Sequence, residues 1–280
     1  MNKDYIERSI SLIKLALEED IQNGDITTSA IVDDDEVCNG KLVAKESGVI
    51  AGLEVFRYVF KLLDGKGLEF HSNYYDGAQV QKGNLIAEFS GQLKTVLSGE
   101  RTALNFLQRM SGVATITRQY AEQLKDTNTE LLDTRKTMPG FRYLDKYAVA
   151  VGGGTNHRIG LFDMVMLKEN HIKAAGSISK AVKMIREQYG SKYKIEIETG
   201  SLHEVVEALD NNVDIIMLDN MPIEEMQASV IMINKKVKVE ASGNITIANI
   251  RAVAEIGVDY ISVGAITHSV SALDISLLII

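Results

Sequence analysis

The chain has 280 residues, 45% hydrophobic and 24% charged, with 22 glycines and 2 prolines, a composition that excludes collagen-like, disordered and low-complexity classes. Its length supports either one barrel or two modest domains. Lys plus Arg number 30 against 38 Asp plus Glu, a net charge of -8, so general attraction to nucleic acid or anionic membrane is not expected and any basic site must be local.

The first residues lack the unbroken apolar core of a secretory signal, and no later run reaches the roughly 20 apolar residues of a membrane span, so a cytoplasmic protein is expected. Ile6, Ile10, Ile13 and Leu17 place one apolar stripe on an opening helix that ends near Gly24. Cys38, the single cysteine, excludes an intrachain disulfide or a cysteine-rich zinc site. Between Lys41 and Gly91 short apolar runs alternate with glycine turns, interrupted by a helix carrying Phe56, Val59, Phe60 and Leu63. Residues 1–105 are therefore expected to form a small α+β domain. A long helical stretch follows from about Leu97 to Leu124, with a break expected near Ser111-Gly112.

From Glu130 onward strand and helix alternate, with apolar strands at 130–133, 164–167, 194–198, 214–218, 237–241 and 259–263 and a seventh conceivable at 153–158. Ser201 with Glu204 reads as a capping box, and Pro222 as a first helical residue. The last four strands start every 20 to 23 residues, a period that fits an α/β barrel, incomplete, of six or seven parallel strands; a doubly wound open sheet is the alternative.

In such folds reactive groups gather at the carboxyl ends of the strands. That rule selects Thr134-Arg135-Lys136, Lys168-Glu169-Asn170-His171 and Asp219-Asn220. From Thr134 through Lys173 there are seven Lys or Arg against three Asp or Glu, a local reversal of the chain's balance that marks an anion site. Gly152-Gly153-Gly154 is not a dinucleotide fingerprint; it is either a helix stop or flexible backbone that delivers His157 and Arg158 inward. His157 is open between general acid, ligand donor and packing residue. Ser242-Gly243-Asn244 and, one βα unit later, Val263-Gly264 have the layout of a barrel phosphate cradle, in which a helix N-terminus adds partial positive charge. Glu198 and Asp219 end consecutive strands, where they would face a metal or a ribose, or else pair with nearby cations. Glu196 shares the face of Glu198, one pleat deeper.

Ordered motifs along the chain resemble those of the quinolinate phosphoribosyltransferase family. They are Gly24-Asp25-Ile26-Thr27-Thr28, Ser98-Gly99-Glu100-Arg101-Thr102, Asp133-Thr134-Arg135-Lys136-Thr137 with Pro139-Gly140, Asn156-His157-Arg158, Lys168-Glu169-Asn170-His171, Leu218-Asp219-Asn220, Glu240-Ala241-Ser242-Gly243 and Thr267-His268-Ser269. The resemblance implies a small N-terminal α+β sandwich domain (1–105), rejoined by the C-terminal tail (266–280), attached to a barrel domain (106–265). It also implies a homodimer, or a higher oligomer built from it, in which Arg101 of one subunit reaches the other's active site. Arg135, Lys136, His157, Arg158 and Lys168, with Thr134, would line a pocket for quinolinate and phosphoribosyl pyrophosphate. Ser242, Gly243, Asn244, Val263 and Gly264 would cradle the 5-phosphate. Glu198 and Asp219 would face the ribose and a magnesium ion carried in with phosphoribosyl pyrophosphate, and Lys136, Lys168, Glu198 and Asp219 would form the catalytic set. The implied reaction yields nicotinate mononucleotide, pyrophosphate and carbon dioxide for NAD biosynthesis. Met138 and Phe141 depart from the family pattern, where a Thr and a smaller apolar residue are usual. A related barrel acting on another aromatic acid and a non-catalytic phosphate sensor are the competing readings.

Overall fold

A computed structural model describes residues 4–280. The chain divides into two compact units, one of residues 1–118, 137–153 and 266–280, the other of residues 119–136 and 154–265. The segments 106–118 and 137–153, assigned to the barrel from sequence, thus pack with the first unit.

The first unit opens with α1 (Asp4–Ile21) and α2 (Ile26–Ile31). Asp25 caps α2 by accepting the Thr27 and Thr28 N–H groups at 3.1 and 2.9 Å, and it also accepts the Ser98 hydroxyl at 3.1 Å. Two of the motifs read from sequence are therefore joined by one carboxylate. There follow β1 (Val37–Ala44), β2 (Gly48–Val49), α3 (Leu53–Asp64), β3 (Glu69–Ser72), β4 (Gln79–Val80), β5 (Leu85–Gln92) and α4 (Leu93–Gln123). A four-stranded sheet of order β12-β1-β5-β3 includes the chain's last strand, β12 (Ile275–Ile279), antiparallel to β1. Phe56 and Phe60 on α3 and Leu104, Leu107 and Met110 on α4 are fully buried, spaced three or four apart as a helical core face requires.

The α4 helix is continuous, without the break expected at Ser111-Gly112. Gly112 serves close packing instead: a Cβ there would overlap the Ser271 carbonyl oxygen and lie 3.1 Å from its carbon. The chain then contributes β6 (Glu130–Leu132) to the second unit and α5 (Arg142–Gly152) to the first. Tyr147 on α5 stacks on Tyr5 of α1 at 3.9 Å and donates its hydroxyl to Asp76 at 2.7 Å. Phe141 stacks on Phe106 at 5.5 Å, so its extra bulk packs this unit, while Met138 is exposed.

The second unit continues with β7 (Val165–Leu167), α6 (Glu169–Ala175), α7 (Ile178–Tyr189), β8 (Ile195–Thr199), α8 (Leu202–Asp210), β9 (Ile215–Asp219), α9 (Ile223–Ile233), β10 (Lys238–Ser242), α10 (Ile250–Glu255), β11 (Tyr260–Ser262) and, at the return to the first unit, α11 (Ala265–His268). Its six strands are all parallel, in the order β6-β11-β10-β9-β8-β7. The last of these strands pairs with the first, and β6 and β7 are the edges of the barrel-like sheet, which is left open between them. The seventh strand expected at 153–158 is reduced to one parallel bridge, Thr155 to Leu132, on the outer side of β6. Ser201 caps α8 through its hydroxyl, but Glu204 reaches Gly200 N–H at 2.7 Å, so the reciprocal half of the expected capping box falls on a different residue. Pro222 is the cap of α9, one position before the first helical residue.

Candidate active site

Strand register decides which side chains share the barrel's concave face. Parallel partners point to the same side, and the pairings join Met166 to Glu196, Glu198 to Met217, Met217 to Glu240, and Ser262 to Leu132. Glu196 on β8 and Glu240 on β10 both contact His157 although β9 lies between their strands, so this face is the interior one. Glu198, Asp219 and Ser242 are the last residues on that face of β8, β9 and β10, and Thr134, Lys168 and Gly264 lie one or two residues beyond the ends of β6, β7 and β11. The strand-end residues chosen from sequence thus lie at the carboxyl end of the parallel sheet.

Lys168 Nζ lies 2.6 Å from Glu198 Oε2 at the partly exposed mouth. Thr134 accepts the Lys136 N–H at 3.0 Å, folding the 134–136 turn back so that Arg135 and Lys136 remain exposed. Arg158 is anchored by Nη1 on the Met164 carbonyl at 3.1 Å and Nη2 on Met166 Sδ at 3.5 Å. Burial, and then the neighbouring positive charge of Arg135, push the Arg158 guanidinium below its ordinary pKa. Two like charges brought this close favour an anion between or beside them.

The loops after β9 and β10 are tied together. Asn220, at φ +55, donates its backbone N–H to the Ser242 carbonyl at 3.0 Å, its side-chain N–H to Asp219 at 2.8 Å, and accepts from Asn244 Nδ2 at 3.1 Å. Gly243 and Asn244 take φ of +91 and +54 in succession. A Cβ on Gly243 would overlap Asn220 Oδ1 and sit 2.8 Å from its backbone nitrogen, so only glycine fits. Such a left-handed pair forms a concave backbone of the kind that receives phosphate. The helix expected directly behind this loop begins only at Ile250, so its dipole does not back Gly243. Val263 is buried and Gly264 half-buried ahead of α11.

His157 is placed differently from the other predicted residues. Its side chain is 6% exposed, with Nε2 at 3.0 Å from Glu196 Oε2 and 3.4 Å from Glu240 Oε2. Asp133, fully buried, accepts the His157 backbone N–H and the Asn156 side-chain N–H, both at 2.8 Å. Burial opposes protonation of the ring, but hydrogen bonds to Glu196 and Glu240 outweigh it and push its pKa up to about 9. Burial also raises Glu196. Arg158 places its backbone N–H 2.6 Å from His157 Nδ1, opposite the carboxylates. Asp133 and Glu240 stand in motifs read from sequence but were given no role there.

Arg101 is exposed on α4, within the first unit.

A six-stranded parallel sheet with basic residues at the carboxyl ends of its strands places the chain among β/α-barrel proteins. Sequence comparison makes this specific. Residues 25–111 match the N-terminal domain and residues 113–278 the C-terminal domain of quinolinate phosphoribosyl transferase. The chain is similar to a probable nicotinate-nucleotide pyrophosphorylase [carboxylating] of Synechocystis, 45% identical over 94% of this chain and 90% of that protein. A Bacillus subtilis protein of the same description is 43% identical over 92% of this chain and 89% of its own length. Among solved structures, NadC from Streptococcus pyogenes superposes with a TM-score of 0.93 at 41% identity, covering 100% of this chain and 99% of that one. The chain belongs to the quinolinate phosphoribosyltransferase family.

Proposed function

We propose that the protein joins the ring nitrogen of quinolinate to C1 of phosphoribosyl pyrophosphate, releasing pyrophosphate and carbon dioxide and forming nicotinate mononucleotide. The observation that carries this reading is the gathering of Thr134, Lys168, Glu198, Asp219, Ser242 and Gly264 at the carboxyl ends of the parallel strands, with Arg135, Lys136 and Arg158 nearby, on a chain of this family. The names of the similar proteins point to the same reaction.

Quinolinate carries two carboxylates, which suit the forked donors of Arg135 and Arg158. Lys136 and Lys168 supply compact charge for departing pyrophosphate. Lys168 is held ready by Glu198 at 2.6 Å, so its ammonium is positioned before substrate arrives. Gly243, Asn244 and Gly264 present backbone to the 5-phosphate, with Ser242 adding a hydroxyl. Glu198 and Asp219 offer hard carboxylate oxygens of the kind magnesium takes when phosphates complete its shell, so they are the residues that would meet a magnesium ion arriving with phosphoribosyl pyrophosphate. Holding both reactants in one enclosure contributes proximity, and no dedicated general base is required, because the alkylated ring nitrogen accepts the electrons left by decarboxylation. The fully buried place of Glu196 beside His157 favours Glu198 as the ribose- and magnesium-side carboxylate.

The active form is a homodimer in which Arg101 of one subunit completes the site of the other, and the protein is cytoplasmic. No helix among the described residues is long and apolar enough to cross a membrane. Purified protein given quinolinate, phosphoribosyl pyrophosphate and magnesium releases pyrophosphate and carbon dioxide in equal amounts; no turnover refutes the activity. Mixing Arg101→Ala with Arg135→Ala subunits restores part of the activity, and complete failure to do so refutes the shared site.

A further inference from the structure

Inside the barrel, below the strand-end residues, sit two carboxylates for which the proposed reaction has no use. Glu196 and Glu240 are fully buried, and neither oxygen of either carboxylate meets hydrogen-bond geometry with a partner among the described residues. A buried carboxylate without a donor is costly, so its retention needs a reason. What the two share is His157 Nε2, at 3.0 and 3.4 Å. The Arg158 backbone N–H lies 2.6 Å from the other ring nitrogen, and the His157 backbone N–H is held by Asp133 at 2.8 Å. The imidazole thus has two carboxylates within ion-pair distance of Nε2 and the backbone at Nδ1, and the next residue in the chain is the arginine whose guanidinium leans on Met164 and Met166 near the mouth.

We infer that Glu196 and Glu240 are positioning residues of the anion pocket: they anchor the His157 ring inside the barrel and, through the His157–Arg158 backbone, set where the Arg158 guanidinium stands. The 153–158 segment has only the one-residue Thr155 bridge to a strand, so ladder pairing does not hold it in place. A side-chain anchor replaces the missing strand. Only the choice of anion that Arg158 grips rests on the activity proposed above.

The test combines ring-nitrogen NMR of histidine-labelled full-length protein with steady-state kinetics. In the unaltered chain His157 shows a slowly exchanging Nε2–H. Glu240→Leu, of similar volume and without an acceptor, abolishes that signature and lowers kcat/KM at least tenfold, mostly through KM; Glu240→Gln, whose amide oxygen still accepts, keeps the signature and most of the activity. In a His157→Asn background Glu240→Leu costs no more than a further twofold, because its effect acts through the ring. If Glu240→Leu does not fold, Glu240→Ala serves in both measurements. An unchanged His157 signature in the variant, or losses that multiply in the double variant, overturns the inference. Should the unaltered protein fail to turn over quinolinate, the activity proposal falls while the NMR result still decides this one.

Discussion

Replacing Gly243 by alanine tests both the backbone geometry of the cradle and its role. At φ +91 the backbone conformation alone costs an L-residue about 1–2 kcal/mol. The added Cβ then overlaps Asn220 Oδ1 and presses on its backbone nitrogen at 2.8 Å, so Asn220 must move. Moving it breaks the Asn220 N–H bond to Ser242 and the Asn244 bond to Asn220, at 3.0 and 3.1 Å, worth about 1 kcal/mol each. The total is about 3–4 kcal/mol, a fall in melting temperature of roughly 10 °C for a domain of this size. Gly257→Ala is the control: its φ of +93 carries the same backbone cost, but its Cβ meets only Val230 Cγ1 at 3.7 Å, so about 1–2 kcal/mol is expected. Thermal and urea unfolding measure the difference, and KM for phosphoribosyl pyrophosphate is read on the same samples. If Gly243→Ala is no less stable than Gly257→Ala and its KM is unchanged, the contact with Asn220 and the cradle assignment are both wrong.

Glu198→Gln is expected to lower kcat/KM about 10²-fold, or ~3 kcal/mol, by releasing Lys168 from its preset position. Because Lys168 is largely exposed, unfolding should shift by under about 1 kcal/mol; a large stability loss with full activity would contradict the assignment. Arg109→Ala strands Asp145, which is fully buried and held by Arg109 at 2.9 Å, and should cost about 3–5 kcal/mol in urea melts. A loss below 1 kcal/mol would show that Asp145 finds another partner. The His157 cluster makes stability pH-dependent. Its folded pKa of about 9 exceeds the ordinary 6.5, so the folded state binds the extra proton. The stabilisation is complete below pH 6.5 and is lost as pH rises through 9, by about 3 kcal/mol. Urea midpoints between pH 6 and 10 should fall in the unaltered protein and flatten in His157→Asn; equal slopes would remove the cluster from the linkage.

The mouth of the barrel was legible residue by residue, because the carboxyl-end rule needs only strand positions, and apolar runs such as Ile215–Leu218 mark those plainly. Lys168, Glu198, Asp219 and Gly243 followed from that rule and from turn chemistry. The continuous α4 was not legible, since a glycine that breaks a helix and one that lets another chain segment approach look alike; the Ser271 backbone against Gly112 decides it. The unit boundary was also hidden, because residues 137–153 leave the barrel and return to it without a change in composition.

By itself, then, the sequence determined a parallel α/β barrel, an anion site at its strand ends and the family. These are local and periodic properties, carried by alternation, spacing and motif. What only the tertiary structure decided is where each carboxylate lies and which cation it meets. Alternation puts Glu196 and Glu198 on one face, but Glu196 is buried against His157 and Glu198 meets Lys168, and those partners come from segments far away in the chain. The role of a charged side chain is set by burial and by the nearest opposite charge, and both exist only once distant segments have packed.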